Sequence, residues 1–561
     1  MKNKFLIFYL FIFFLFSCSV FNLTEIGLPE EKRWTENFTV FFTDPGTSSK
    51  NAKDTGIKEK VVNAIEKAKS SIDIAIYELS EPEIYNSLIK AHKKGVKVRF
   101  VGDIDNTYYE GYIALSNENI PMSLGNKDKI MHNKFLIIDN ELVITGSANY
   151  TPTGFYNNNE NIIFIRSSNV AFYYQKEFEN MFLKKTFGKD KIAFEYFDSN
   201  VFWVGDIWLK VLFTPYYTTQ KSDVVINSFI SNAKKSIHFA IFSFTHVNMA
   251  SNIIRMGKEN GVEVKGVFDE GWHNNNVYSV HHWFLDSETI DNNIKVVLDG
   301  NSNILHGNPY HGGKVHDKFM VIDDEIVITG SLNFSKAASQ DGNDENVVII
   351  SNKNIAQLYE EEFQKMYKIG YSPTREAGGD KASYHDVIIS EIHWTGSKNN
   401  EGTIFYEDQF IELYNNSNKK INLSGWRICY TTKKSYRTHL YIIPKNTILE
   451  PGQFLIVGYN KSNSAFSSFT YFFNHNYLYL YHSSHKNYVY LELKDCYGNL
   501  IDKAGSFSEP PFAGERGSIY KSMERIGDDG TIATSWRTCT NANNYVNEGY
   551  RMKTYATPGT R

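Results

Sequence analysis

The chain has 561 residues, and at about 150 residues per folded unit this length predicts three or four domains. With 42% hydrophobic and 22% charged residues, it has enough apolar side chains for several cores, which excludes a globally disordered chain or a coiled coil. The 59 Lys+Arg and 63 Asp+Glu give a net charge of −4, which excludes a polybasic protein that binds phosphates through bulk charge.

The first 18 residues have the pattern of an export signal. Two lysines within residues 1–4 precede a 12-residue run of apolar and aromatic side chains, residues 5–16. Because a membrane-spanning helix needs about 20 apolar residues, a transmembrane anchor is the weaker alternative and a buried helix is weaker still. Residues 15–18, Leu-Phe-Ser-Cys, resemble the lipobox of bacterial lipoproteins, which implies cleavage before Cys18 and acylation of its thiol and new amino group.

The resemblance to a lipobox implies an exported protein that a lipid anchor holds at the membrane. Ordinary signal-peptidase cleavage, which would give a secreted protein, is the alternative. Residues 19–37 follow the signal as a polar linker.

Two stretches of the chain, residues 38–200 and 201–370, repeat one pattern of strands and helices. Three segments recur between them: 40–43 with 211–214, 69–77 with 234–242, and 95–103 with 261–269. In the first copy, helical periodicity over residues 58–69 and 83–94 alternates with β-branched apolar runs. This alternation predicts two tandem α/β sandwich repeats, each with a mostly parallel sheet covered by helices, related by a pseudo-twofold axis.

The last part of the chain has a different pattern. Residues 371–383 have the Pro, Gly and charged content of a linker. From residue 384 to residue 561, short alternating runs such as 410–414 and 489–493 are separated by clusters of Asn, Ser, Gly and Lys. No helical pattern competes there, so we expect an all-β sandwich.

Each repeat carries the motif H-x-K-x4-D-x6-G-S-x-N. Its residues are His132, Lys134, Asp139, Gly146, Ser147 and Asn149 in the first repeat, and His316, Lys318, Asp323, Gly330, Ser331 and Asn333 in the second. Six fixed residues match by chance in roughly one in 10⁵ chains of this length, and here the motif occurs twice in register. A solvated strand end, the usual explanation of an isolated His and Lys pair, does not explain the duplication.

The two motifs together fit phosphodiester chemistry. Period-two alternation places the histidine and the lysine of each motif on one face at the start of a strand, and a returning strand brings the serine and the asparagine beside them. A phosphodiester needs cationic and amide donors for its oxygens, a nucleophile in line with the leaving group, and an acid for the leaving oxygen. One imidazole can attack phosphorus, while the other protonates the leaving alcohol and then deprotonates water.

Two glutamates, Glu160 and Glu345, stand at matched positions 28 and 29 residues after the motif histidines. We expect their carboxylates to hold the second imidazole nitrogen and to fix its tautomer, with a solvated acid at a strand start as the alternative. Asp139 and Asp323 lie at odd spacing from the histidines, so we assign them to local structure.

With these motifs, the sequence resembles the phospholipase D superfamily over residues 38–370. The resemblance implies a covalent phosphohistidine, a second histidine that acts as acid and base, lysine and asparagine side chains that bind phosphate, and no metal or other cofactor. The residues that it implies are His132, Lys134, Asn149, His316, Lys318 and Asn333, supported by Ser147, Ser331, Glu160 and Glu345. By family habit His132 is the nucleophile and His316 the acid, although the symmetry of the motifs leaves the reverse assignment open.

The spacing of His306, His311 and His316, which recur every five residues, raises the alternative of a zinc site. Five-residue spacing does not fit the usual intervals of structural zinc sites, and Lys318 would place a cation beside the metal. We therefore predict no metal at this site.

The substrate is less determined than the reaction. Residues 330–338, followed by Glu345 and Asn346, are most similar to the short nucleases and the mitochondrial-type members of the superfamily, which favours nucleic acid. Phospholipid is the alternative, because residues 1–383 carry 40 basic and 47 acidic residues and a lipid-anchored enzyme lies close to phospholipid head groups. A non-catalytic surface protein that binds host or matrix polymers is a second alternative, and both intact motifs count against it.

The C-terminal unit resembles a lamin-tail domain. The similarity lies in residues 387–392, 409–415, 421–426, 451–452 and 557–559. It implies an immunoglobulin-like sandwich that binds or positions a ligand and does not itself catalyse.

Overall fold

The computed structural model describes residues 37–45, 55–194, 199–216, 221–276, 278–288, 293–299, 313–431, 438–458, 471–472, 480, 489–542 and 554–560. The predicted export signal with Cys18, the predicted linker as far as residue 36, and His306 and His311 lie outside the described residues. Among the residues that are described, no helix is both long enough and apolar enough to cross a membrane.

The first repeat forms a seven-stranded sheet with helices on both faces. Its elements are β1 (Phe38–Phe42), α1 (Ile57–Glu66), β2 (Ser71–Ile76), α2 (Pro82–Lys93), β3 (Lys97–Asp103), α3 (Glu110–Asn117), β4 (Met122–Gly125), β5 (Lys134–Ile138), β6 (Leu142–Gly146), α4 (Pro152–Tyr156), β7 (Asn161–Arg166) and α5 (Ser168–Phe182). The strand order is β1-β7-β6-β5-β2-β3-β4.

The second repeat forms an eight-stranded sheet of the same design. Its elements are β8 (Val201–Val204), β9 (Ile207–Thr214), α6 (Ser222–Asn232), β10 (Ser236–Ile241), α7 (Val247–Glu259), β11 (Glu263–Phe268), α8 (Glu270–Asn275), α9 (His281–Ser287), β12 (Ile294–Leu298), β13 (Lys318–Ile322), β14 (Ile326–Gly330), α10 (Lys336–Ser339), β15 (Glu345–Ser351) and α11 (Lys353–Ile369). The strand order is β12-β11-β10-β13-β14-β15-β9-β8, which is the order of the first sheet with β8 added at one edge.

The sheets are mixed, and the prediction of mostly parallel sheets was wrong. In the first repeat only β2, β3 and β4 pair in parallel, whereas the other neighbours in the sheet are antiparallel. The cause lies in the motif: Asp139 and Asn140 have φ values of 54° and 53° and form the turn of a hairpin whose loop, residues 139–141, joins β5 to β6. A parallel pair would need a crossover of a dozen or more residues at this point.

One apolar core joins the two repeats. Phe178 of α5 and Phe363 of α11 are fully buried in it, together with Phe135 and Phe319 of the strands β5 and β13 that follow the motif histidines. A separate cluster lies under helices α1 to α3 on the other face of the first sheet. Because both faces of the sheet are covered, β5 and β13 are buried along their whole length.

The C-terminal domain is a sandwich of two sheets, which confirms the predicted all-β class. Its strands are β16 (Val387–His393), β17 (Ser397–Lys398), β18 (Ile404–Phe405), β19 (Phe410–Asn415), β20 (Ile421–Asn422), β21 (Arg427–Thr431), β22 (Thr438–Ile442), β23 (Ile448–Leu449), β24 (Phe454–Gly458), β25 (Tyr471–Phe472), β26 (Tyr490–Lys494), β27 (Leu500–Gly505), β28 (Glu515–Arg516), β29 (Tyr520–Lys521), β30 (Met523–Arg525) and β31 (Trp536–Thr538). The larger sheet has the order β25-β24-β19-β16-β30-β31, and the smaller sheet has the order β22-β21-β26-β27. Their facing side chains form one core around the fully buried Trp426.

The predicted linker, residues 371–383, is hydrogen-bonded at both ends. Tyr371 and Leu298 exchange two backbone hydrogen bonds of 2.9 Å, which attach the start of the segment to the second repeat. Near its end, the carbonyl oxygen of Asp380 accepts a 3.0 Å hydrogen bond from the indole nitrogen of Trp426 in the sandwich. The segment therefore holds the two domains against each other.

Candidate active site

The backbones of the two repeats pair with each other directly beside the motif histidines. The backbone N–H of His132 donates to the carbonyl oxygen of Asp344 at 2.9 Å, and the N–H of His316 donates to the carbonyl oxygen of Asn159 at 3.1 Å. The reciprocal contacts indicate an approximate twofold axis between the repeats. This pairing brings both motifs into one site.

Each histidine is held by a glutamate of the opposite repeat. His132 Nδ1 lies 2.8 Å from Glu345 Oε2, and His316 Nδ1 lies 2.6 Å from Glu160 Oε1. The predicted contacts between histidine and glutamate are thus present, but they cross the boundary between the repeats. With Nδ1–H donated to a carboxylate, Nε2 carries the lone pair of each ring, and at His316 this Nε2 lies 3.3 Å from Lys318 Nζ.

The motif serines orient the two glutamates. Ser147 Oγ donates to Glu160 Oε2 at 2.6 Å, and Ser331 Oγ donates to Glu345 Oε2 at 2.7 Å. The preceding residue, Gly146, has a φ of +150°, and a Cβ there would lie 2.1 Å from a backbone oxygen of β7. Only glycine fits this approach, which explains the Gly-Ser pair of the motif.

The motif lysines are almost fully buried, with exposed fractions of 1% each. Lys134 Nζ donates to the carbonyl oxygen of His132 at 3.0 Å, and Lys318 Nζ donates to that of His316 at 2.6 Å. Burial lowers the pKa of Lys134 to about 7 and that of Lys318 to about 8. Both ammonium groups retain further N–H donors that can bind an anion.

Burial also keeps the two imidazoles neutral. Burial lowers the pKa of His132, although the negative charge of Glu345 acts in the opposite direction. Burial and the positive charge of Lys318 together lower the pKa of His316 well below its usual value. For the same reason, the pKa of Glu160 rises to about 7. A neutral imidazole with its lone pair on Nε2 is the form that can act as a nucleophile or base.

The two asparagines of the motifs differ in their surroundings. Asn149 Nδ2 donates to Glu78 Oε2 at 2.8 Å, whereas the aligned position of Glu78 in the second repeat is Ser243. The side-chain oxygens of Asn149 and Asn333 are buried and have no hydrogen-bond partner among the described residues. An amide oxygen only accepts hydrogen bonds, so an anion would bind through the N–H groups that the Nδ2 atoms of both asparagines retain.

Asp139 and Asp323 lie at the far ends of the motif strands and do not reach the histidines. The Asp139 carboxylate accepts hydrogen bonds from the backbone N–H groups of residues 69–71, and Asp323 does the same for residues 234–236. They attach the hairpin to the neighbouring strand and thus hold local structure.

Four further residues, none of them part of the motif, support the site. Asp103 Oδ2 accepts from the N–H of Met131 at 2.7 Å, and Asp269 Oδ2 accepts from the N–H of Val315 at 3.2 Å, so each fixes the residue before a motif histidine. The rings of Tyr77 and Phe242 pack on His132 and His316, with centroids 5.0 and 4.8 Å apart.

A signal for these four residues was present in the sequence. They are the last residues of the recurring segments 69–77 with 234–242 and 95–103 with 261–269. Because these segments end where the sheet meets the site, the side chains at their last positions also contact the motif histidines or the residues just before them.

The two half-sites are similar but not identical. Between histidine and lysine stands Asn133 in the first motif and Asp317 in the second. Asp317 is fully buried, and its Oδ1 accepts from the side-chain amide of Asn161 at 2.7 Å. Burial, with the nearby charges of Glu160 and Glu362, raises the pKa of Asp317 well above its usual value.

Together, the half-sites form a centre for a tetrahedral anion. Two ammonium groups and two amides can bind its oxygens, and two imidazoles can move protons or attack its central atom. The lysines supply at the centre the positive charge that a metal ion would bring.

Comparisons with known proteins agree with this chemistry. Residues 61–182 and 226–367 match the family described as "Cardiolipin synthase, PLD-like domain", and residues 380–507 match the family described as "Lamin Tail Domain". The chain is 33% identical over 173 residues to a phospholipase D of Rickettsia prowazekii (strain Madrid E), which covers 30% of this chain and 78% of the relative.

Two further comparisons also extend over about one repeat. The chain is 30% identical over 116 residues to the mitochondrial cardiolipin hydrolase of Xenopus laevis, which covers 20% of this chain and 55% of that protein. A solved structure, Nuc, a phospholipase D family member from Salmonella typhimurium, is 29% identical and covers 29% of this chain and 97% of its own, with a TM-score of 0.25.

Substitution of Glu160 or Glu345 by glutamine is expected to affect the histidine of the opposite repeat. Glu345→Gln removes the carboxylate that accepts the Nδ1 proton of His132, so the imidazole loses its fixed tautomer. The ¹⁵N chemical shifts of His132 should change while those of His316 stay, as measured by NMR. Glu160→Gln is the matched control and should give the reverse. A change at His316 in the Glu345→Gln protein would contradict the crossed pairing.

Binding of sulfate is expected to weaken as the pH rises above about 7, because the lysines of the site lose their protons earlier than ordinary lysines. Sulfate keeps its charge across this range, so calorimetric titration reports the protein groups alone. Lys420→Met, which changes an exposed lysine of the sandwich paired with Glu450, should leave the profile unchanged. Constant affinity up to about pH 10 would show that Lys134 and Lys318 titrate normally.

Proposed function

Because this chain belongs to the phospholipase D superfamily of phosphodiesterases and carries a lamin-tail domain, we propose that it hydrolyses nucleic acid without a metal ion. The observation that carries the proposal is the crossed pairing of His132 with Glu345 and of His316 with Glu160. It leaves two neutral imidazoles and two buried lysines around one place where a phosphodiester can bind.

The first half of the proposed reaction transfers the phosphoryl group to the enzyme. The lone pair of His132 Nε2 forms a bond to phosphorus, while the bond from phosphorus to the leaving oxygen breaks and its electron pair stays on that oxygen. His316 Nε2 gives the leaving oxygen a proton. The negative charge of the bound diester favours the protonated form of His316, so this histidine gains its proton when the substrate binds.

The second half releases the product. A water oxygen attacks phosphorus and passes one proton to His316 Nε2, and the bond between phosphorus and His132 Nε2 breaks with its electron pair returning to the nitrogen. The product is a phosphate monoester. Lys134 and Lys318 bind the oxygens on which negative charge develops in both steps.

Aromatic and cationic side chains around the histidines support nucleic acid as the substrate. Lys314 is exposed, and its Nζ lies 5.5 Å from the centroid of the Phe242 ring. The Phe242 ring in turn contacts Trp272, with centroids 5.9 Å apart. At the first half-site, Tyr109 forms a hydrogen bond with Glu78, the partner of Asn149. The ring of Tyr109 stacks on that of Tyr108 with centroids 4.7 Å apart, and Tyr108 is 67% exposed. Proteins that bind single strands combine such base-stacking rings with local cations.

Phospholipid is the second candidate substrate. The relatives include proteins named phospholipase D and mitochondrial cardiolipin hydrolase, and a lipid anchor at Cys18 would hold the site near a membrane. A non-catalytic binding protein is less well supported, because such a protein has no need of two neutral, carboxylate-oriented imidazoles.

The full chain is expected to cleave a labelled single-stranded DNA oligonucleotide in the presence of EDTA. His132→Ala and His316→Ala should each lower the rate of cleavage at least about 10³-fold, because the first removes the nucleophile and the second removes the acid. His92→Ala, at a half-buried histidine of α2, is the control and should retain full activity. Hydrolysis of phosphatidylcholine vesicles without cleavage of DNA by the same preparation would replace the nucleic-acid proposal with the phospholipid one.

We also propose that the protein is an exported lipoprotein anchored through Cys18. The basis is the lipobox-like end of the predicted signal, residues 15–18. Bacteria that express the full chain should incorporate labelled palmitate into it, and Cys18→Ser should abolish the label while Cys429→Ser, at a buried cysteine of the sandwich, retains it. A chain that is released unlabelled into the medium would be secreted instead.

A further inference from the structure

Helix α9 of the second repeat lies against the lamin-tail domain, and its C-terminal end contacts a buried side chain of that domain. Arg427, at the start of β21, is fully buried. Its guanidinium donates to the carbonyl oxygen of Leu285, to that of Glu288 at 3.2 Å and to that of Cys496 at 3.1 Å. Two of these acceptors lie at the end of α9: the Leu285 carbonyl, which also accepts from the N–H of Glu288 at 3.3 Å, and the carbonyl of Glu288, the residue that caps the helix.

A second set of contacts holds the same end of the helix. Asp286 Oδ1 lies 2.5 Å from Lys494 Nζ and accepts a hydrogen bond from Cys429 Sγ at 3.0 Å. The Lys494 side chain is only 14% exposed. A cation at a helix C-terminus also complements the helix dipole, so Arg427 and Lys494 both stabilise α9 where it stops.

The other face of α9 packs beneath the active site. His281 and Phe284 contact the ring of Phe268, with centroids 5.0 and 5.6 Å apart. The residue after Phe268 is Asp269, whose carboxylate accepts from the N–H of Val315 next to His316. Two packed contacts and one hydrogen bond therefore connect α9 to the backbone of a motif histidine.

The first repeat has no such dependence on the sandwich in the part that the structure describes. There α3, which stands at the corresponding place between β3 and β4, contributes Tyr112, whose hydroxyl donates to the carbonyl oxygen of Tyr77 at 2.8 Å. The N–H of Gly111 donates to the carbonyl oxygen of Leu79 at 3.0 Å. The first half-site is thus supported from within its own repeat, and the second is supported through α9 by another domain.

We propose that the lamin-tail domain is a structural part of the phosphodiesterase unit and that Arg427 is a positioning residue for the His316 half-site. By fixing the end of α9, Arg427 keeps Phe268 and Asp269 in place and so sets the position of His316. A displacement of about 1 Å in a reacting group can cost on the order of 10²-fold in rate, so a remote support of this kind is expected to appear in kcat. The inference rests on the phosphodiesterase class of the chain and not on the nucleic-acid substrate.

The test compares Arg427→Met with Arg537→Met in the full chain. Methionine keeps much of the buried volume of arginine but removes the guanidinium hydrogen bonds to the carbonyl groups of Leu285 and Glu288. Arg537 also lies in the sandwich, but its side chain is 64% exposed and pairs with Glu524 within the same domain, so it is the matched control. The substrate is bis(p-nitrophenyl) phosphate, a chromogenic diester that tests the chemistry without testing the preference for DNA or lipid.

Arg427→Met is expected to lower kcat at least about tenfold while KM stays within about twofold, because the groups that bind the phosphate remain. Amide hydrogen exchange in residues 281–287 should become at least about tenfold faster. Arg427→Lys, which can still donate to the carbonyl groups of α9, should recover part of kcat. The control Arg537→Met should match the wild type in kcat and in exchange.

Two results would overturn the inference. Faster exchange in α9 with unchanged kcat would show that the contact between the domains has no influence on the site, and unchanged exchange would show that Arg427 does not hold α9. If Arg427→Met fails to fold, Asp286→Asn weakens the same contact from the side of α9, at a side chain that is 22% exposed, and is judged by the same two measurements. Wild-type hydrolysis of the chromogenic diester without DNA cleavage would contradict only the proposed substrate.

Discussion

The site depends on the exchange of partners across the boundary between the two repeats. Each motif histidine forms one hydrogen bond through its backbone N–H and one through its ring with the other repeat. The partners of His132 are Asp344 and Glu345, and those of His316 are Asn159 and Glu160. Neither repeat therefore contains a complete half-site. The shared core around α5 and α11 is what makes these contacts possible, because it fixes the two sheets against each other within the precision of a hydrogen bond.

Concentrating charged groups in this interface has an electrostatic consequence. Lysines, carboxylates and imidazoles are buried together, so each is stable only while its partners remain in place. Burial moves the pKa of Lys134 and that of Glu160 to about 7, close to the operating range of general acids and bases. The same removal of water that makes the groups costly to bury makes their interaction with a bound phosphate strong.

Within the described residues, the lamin-tail domain takes part in this arrangement on the side of the second repeat. The linker and Arg427 attach it to the second repeat, and α9 lies between it and the Asp269 contact. The two repeats are similar, but the lamin-tail domain supports the half-site of the second repeat and not that of the first in the described part of the chain. This inequality adds to the local differences between the half-sites, where Asn133 and Tyr77 of the first correspond to Asp317 and Phe242 of the second.

The sequence by itself determined the duplication, the α/β and all-β classes and the identity of the motif residues, because periodicity and motif spacing report local geometry. It misjudged the sheet direction, since apolar runs indicate burial and not strand polarity. The tertiary structure alone decided that His132 pairs with Glu345, 213 residues away, and that Asp103, Asp269 and α9 support the site. Such contacts arise only when separate elements pack together, and no local pattern in a single chain records which distant partner will lie opposite.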